Sequence, residues 1–154
     1  MKFTRSRSVR VSVGLAVCCA LLAGCVPLEL MGAREGERGL EFMACSSIST
    51  QAIEVYASRA DSNETPPELV WRSTGSASIG AGDVVQYGVG LPGMTTELGP
   101  LPINLSDSVV GIEFDHFGAT GVLLDENHAK FSGDEITSSD WLDESGDHSN
   151  DPCQ

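Results

Sequence analysis

Short runs of alternating apolar and polar residues, separated by turn-forming clusters, predict a mainly β fold: an antiparallel β-sandwich with a short helical turn near the C-terminus. Three observations carry that expectation. Val110, Ile112 and Phe114 alternate with Gly111, Glu113 and Asp115, the period of two that puts successive side chains on opposite faces of a strand. Clusters rich in Gly, Pro, Asp and Asn recur at 61–67, 80–83, 90–93 and 125–127. No long stretch keeps the 3.6-residue period of an amphipathic helix, so seven or eight short strands must build the core, as a sandwich or a closed barrel.

The chain opens on a basic segment holding Lys2, Arg5, Arg7 and Arg10, followed by an apolar run over 11–22. That length and flank suit an export signal and are too short for a spanning helix. The run ends in Leu22-Ala23-Gly24-Cys25. These four residues resemble the lipobox of bacterial lipoproteins, and the likeness covers residues 1–25 only. It implies that the Cys25 thiol receives diacylglycerol, that cleavage falls just before it, and that the product is lipid-anchored on the extracytoplasmic face of the cell membrane. Residues 1–24 are then a signal peptide, 25–39 a lipidated flexible tether, and 40–154 one β-sandwich domain. A tether of that composition holds the domain some tens of ångströms off the bilayer.

Within the domain, Ile53, Val55 and Ala57 share one face of a strand against Glu54 and Tyr56. Leu69 and Trp71 mark the next strand, and Val85, Tyr87 and Val89 another. Leu101, Ile103 and Leu105, interleaved with Pro100 and Pro102, read as an edge strand. Val122 with Leu124 and Ala129 with Phe131 are shorter candidates after the clear run at 110–114. A helical turn is expected to start at Ser139 or Asp140 and stop at Gly146, with Trp141 and Leu142 packing it on the sandwich. The sandwich is immunoglobulin-like only in the broad sense, because Cys153 lies at the chain end rather than on a late strand.

Cysteine usage is simple. Cys18 and Cys19 belong to the signal and Cys25 to the lipid, which leaves Cys45 and Cys153 as one disulfide in an oxidising compartment. Charge is equally one-sided. Four of the nine basic residues and none of the 22 acidic ones lie in 1–24, so the remainder carries 5 against 22, a formal charge of −17. Such a surface repels nucleic acid and anionic headgroups, so membrane attachment rests on the acyl chains. A partner drawn by charge is a cationic peptide or protein. Asp140, Asp143, Glu144 and Asp147, clustered beside Trp141, form the candidate acidic binding patch.

No catalytic signature emerges. Gly88-Val89-Gly90-Leu91-Pro92-Gly93 has dinucleotide-loop spacing, but Pro92 removes a donor and no helix follows, so it reads as a turn leaving a strand. His116 continues the apolar face of Val110, Ile112 and Phe114 and reads as a rim residue of the core. An envelope hydrolase would need His116 with an acid from another strand. No metal site and no cofactor is expected. Calcium is the only ion for which the acidic tail offers oxygens, and the EF-hand spacing is missing. The expectation is a non-catalytic binding or interaction module, with an inhibitor that sequesters a cationic envelope protein as its closest variant.

Overall fold

The structure, a computed structural model, describes residues 31–61, 66–117 and 123–154, without the side chains of residues 116, 117 and 123–127. Among these residues ten strands form two antiparallel sheets of five. Sheet A has the order β10-β9-β1-β2-β5, built from β1 (Met31–Gly36), β2 (Gly39–Ala44), β5 (Val84–Gln86), β9 (Trp141–Asp143) and β10 (His148–Ser149). Sheet B has the order β6-β4-β3-β7-β8, from β3 (Ile48–Arg59), β4 (Glu68–Ile79), β6 (Thr95–Leu98), β7 (Ser108–Phe117) and β8 (Leu123–Ser132). This is the β-sandwich that the alternating pattern predicts.

The strands follow the residues that must be buried. In β7, Val110, Ile112 and Phe114 turn inward, and in β3 Ile53 and Val55 do the same. Sheet A answers with Met31, Ala33, Leu40, Phe42, Val85 and Leu142. Phe42 and Phe131 meet across the two sheets with ring centroids 6.1 Å apart. In β4 the register slips opposite Val55 and Tyr56, and the bulge buries both Val70 and Trp71. Trp71 then stands edge-on to Tyr87 at 5.9 Å.

Four expectations change. The span read as a tether contains β1, in which Met31 and Ala33 are buried; of that span only 25–30 lies outside the described residues. The alternation in β1 is brief and diluted by Gly32 and Gly36, and its burial depends on partners far along the chain. Pro152 sits on Gly32 so closely that a Cβ there would come within 2.5 Å of the proline ring. The helical turn expected at 139–146 is instead the strand pair β9–β10, and a short 3-10 turn lies upstream at Gly133–Glu135. Sheet A has an open edge beside β1, so Trp141 and Leu142 gain more by pairing than by coiling on themselves. The prolines at 100 and 102 keep 100–104 out of any sheet, and the strand in that region is β6, just upstream. Val89, expected on an inward face, is 52% exposed beyond the end of β5.

Cys45 and Cys153 form a disulfide with Cα atoms 5.0 Å apart, tying the end of β2 to the chain end. The glycine-rich 88–93 segment turns directly into β6, as a turn and not a helix N-terminus.

Candidate functional site

Because Val110, Ile112 and Phe114 face the core, the intervening residues of β7 form the floor of the outer face of sheet B. Registration with β3 and β8 builds three rows across it. Ser58, Val109 and Ser132 make one, Tyr56, Gly111 and Lys130 the next, and Glu54, Glu113 and His128 the third. Strands about 4.8 Å apart and rows about 6.8 Å apart make this a compact grid. Its central position is Gly111, which contributes no side chain. The result is a groove of about 430 Å³ over Gly111, walled by Tyr56, Val109 and Lys130 and closed at one end by Arg59, Ala60 and Pro67. That volume suits a small ligand.

One flank of the groove is held in a fixed polar arrangement. Glu54 is 8% exposed, and a buried carboxylate needs partners. Arg72 of β4 places Nε 3.0 Å from Glu54 Oε1, a charge pair rather than an aligned hydrogen bond, and 3.4 Å from Glu97 Oε2. Glu97 in turn accepts from Thr74 Oγ1 at 2.8 Å. The Tyr56 hydroxyl donates to Glu54 Oε2. Burial, this hydrogen bond and the negative charges of Glu54, Glu113 and Asp115 all push the Tyr56 phenol up, so it stays protonated. A phenol locked in that way has committed its one O–H to Glu54 and offers the groove a ring surface and an acceptor oxygen.

Cations are few in this chain, and Lys130 of the middle row is the one whose strand phase turns it toward the groove. Residues 25–154 hold Arg34, Arg38, Arg59, Arg72 and Lys130 as their only Lys and Arg. Arg34 pairs with Glu41 at 2.9 Å and Arg72 with Glu54 and Glu97. Among the described residues Arg59 and Lys130 form no ion pair, and both line this groove.

The acidic patch read from the sequence is arranged differently. Trp141 is 3% exposed, and the Arg34 guanidinium lies 4.2 Å from its ring centroid, so the aromatic edge expected to anchor a partner is covered. Asp143 is 8% exposed and turned into its own turn: Oδ1 accepts from Ser145 N at 2.9 Å, Ser145 Oγ at 2.7 Å and Asp147 N at 2.9 Å. Burial alone would raise this carboxyl, but those donors outweigh it and hold Asp143 below the usual aspartate value. Glu144 and Asp147 are exposed and Asp140 half-buried, so the four acids do not present a common face. Among the described residues no three His, Cys, Asp or Glu side chains come together as metal ligands. The His116 side chain, on which a hydrolytic site would depend, lies outside the described residues, as do Cys25 and its lipobox.

Gly111 and its neighbours were missed as a site, although one signal was available: an isolated glycine on the outward face of an otherwise regular strand. The chain has no match among protein-family models, curated proteins or solved structures.

Proposed function

We propose that the chain is a cell-envelope lipoprotein, anchored through diacylglycerol on Cys25, whose β-sandwich is a non-catalytic binding module with its recognition site in the groove over Gly111. The groove carries this reading. It has a glycine floor, one aromatic wall and polar groups converging from three strands. The locked Tyr56–Glu54–Arg72 contacts favour binding over turnover, since they hold the Tyr56 O–H on Glu54 and fix the aromatic wall in place.

Anchoring is supported by the residues before Cys25. Six residue steps separate Cys25 from Met31, a contour of at most about 22 Å.

Two measurements test the proposal. Intact mass of the membrane-fraction protein should show cleavage before Cys25 and a diacylglycerol adduct; an unmodified Cys25 thiol would remove the anchor. The full chain in detergent should retain a low-molecular-mass compound from envelope extract and return it chemically unchanged. Gly111→Val fills the groove and should retain nothing. Its new Cβ meets only ordinary contacts, 3.7 Å from Ala129 O and 3.8 Å from Lys130 Cγ, so the fold should persist. Equal retention by both proteins, or a compound returned with altered mass, would refute the binding reading.

A further inference from the structure

The flank of the sandwich between β5 and β6 differs in chemistry from the rest of the domain. Residues 84–106 run from β5, the edge of sheet A, through β6, the edge of sheet B, toward β7. Residues 25–154 carry 22 acids, yet Glu97 is the one Asp, Glu, Lys or Arg in this stretch. Its carboxylate is engaged by Arg72 and Thr74. The same stretch holds every exposed large hydrophobic side chain among the described residues: Val84, Val89, Leu98 and Leu101. Two contacts join its halves into one surface. A Cβ at Gly88 would stand 2.7 Å from the Pro100 ring, and the Tyr87 hydroxyl donates to Leu101 O at 2.7 Å. Beside them Leu40, Tyr87, Ile103 and Leu105 help to line a groove of about 350 Å³ with Glu35 as its one charged residue. Solubility alone would place charge here as it does elsewhere. An aliphatic flank almost free of charge marks a contact.

Resting on the Cys25 anchor proposed above, we propose that the β5–β6 flank is the face the domain lays on the bilayer, with Val89, Leu98 and Leu101 at the headgroup boundary. Three observations select a lipid surface as the occupant. The first is reach. Val84 pairs with Met43, beside Ala44, the partner of Met31, so the flank begins two strand spacings, about 10 Å, from Met31. A tether of at most about 22 Å reaches the bilayer from there with slack. The second is area. Four partly exposed aliphatic side chains offer roughly 300 Å², well short of the about 800 Å² per partner of a stable protein interface. A contact made by an already tethered body needs no more, because it is intramolecular. The third is charge. The stretch holds no Lys or Arg to seek anionic headgroups, so the contact is apolar and the acids elsewhere stay in water. Gly111 on β7 lies three strands in from β6, so this contact leaves its groove open.

The test reconstitutes the full chain from the membrane fraction into phosphatidylcholine vesicles with brominated acyl chains and reads tryptophan quenching. Trp71 and Trp141 are buried and give a constant background. Val89→Trp puts a reporter on the flank, and His148→Trp puts one on β10, the opposite edge of sheet A. Both positions are exposed, so folding is not at stake. Quenching should be about threefold or more stronger for Val89→Trp than for His148→Trp, and adding Leu101→Asp to Val89→Trp should remove most of that excess. Replacing about a third of the lipid with phosphatidylglycerol should weaken the quenching at low salt and leave it unchanged at high salt. Equal quenching at the two positions, or stronger quenching for His148→Trp, would overturn the proposal. Shielding of Val89→Trp from aqueous iodide without bromine quenching, lost when the protein is diluted in lipid, would mark contact between copies and overturn it as well. With Cys25 lipidated and Val89→Trp unquenched, the anchor stands and the flank contact falls. With Cys25 unmodified and Val89→Trp quenched, the flank contact stands and the anchor falls; with Cys25 unmodified and neither position quenched, both fall.

Discussion

Replacing both Cys45 and Cys153 with serine should cost this domain a large part of its stability. The bond spans 108 residues of sequence. Closing a loop of that length in the unfolded chain is worth roughly 4.8 kcal/mol by the chain-entropy relation. For a domain of this size that corresponds to a fall in Tm of roughly 15–20 °C. Chemical denaturation of the oxidised wild type and the double serine variant measures it. The structure adds a sharper consequence, because Cys153 also holds Pro152, fully buried, against Gly32. Gly32→Ala drives a methyl into the proline ring, and overpacking of this kind costs about 1–3 kcal/mol. That cost should be paid in full only while the disulfide prevents the chain end from moving aside, and most of it should vanish in the double serine background. A disulfide contribution under about 1 kcal/mol, or an equal cost of Gly32→Ala in both backgrounds, would refute the reasoning.

Three further outcomes follow from single contacts. Arg72→Met leaves the buried Glu54 carboxylate with only Tyr56 as a named partner and should destabilise by about 2 kcal/mol, whereas the pairwise change of Arg72→Met with Glu54→Gln should cost less than the sum of the singles. Asp143 has a lowered folded pKa, so its contribution is fully present above the unfolded aspartate value and is lost as pH falls from there through the folded value. Asp143→Asn should therefore cost about 2 kcal/mol near neutral pH, and the gap from wild type should narrow in acid-denaturation curves as pH falls below the unfolded aspartate value. Arg34→Ala uncovers Trp141 and should red-shift its fluorescence with a loss of about 1 kcal/mol; an unshifted spectrum would mean that other groups cover the ring.

Strand faces were legible wherever the alternation was long and uninterrupted. The inward sets of β3 and β7 and the pair Ala129 and Phe131 could be read directly, because period two alone assigns their faces. Cys45 and Cys153 followed from parity. What escaped was non-local. β1 packs Met31 and Ala33 into the core and is covered at Gly32 by Pro152, more than a hundred residues away, and no pattern within six residues reports that. Trp141 beside four acids resembled an exposed anchor, but its cover, Arg34, comes from the far end of the chain. Asp143 was counted as surface charge because a carboxylate that closes a turn has the same sequence as one facing water. The groove needed the register of three strands before Tyr56, Gly111 and Lys130 could be seen as one row. Their residue types were visible, but their juxtaposition was not.

The account's central claim is that recognition takes place over Gly111, and a backbone amide shift map of the isotopically labelled full chain with envelope extract tests it most directly. Shifts confined to 56–60, 109–113 and 128–130, and absent from Gly111→Val under the same conditions, are the expected result. Shifts centred on Asp140, Glu144 and Asp147, or an unchanged map in Gly111→Val, would contradict it.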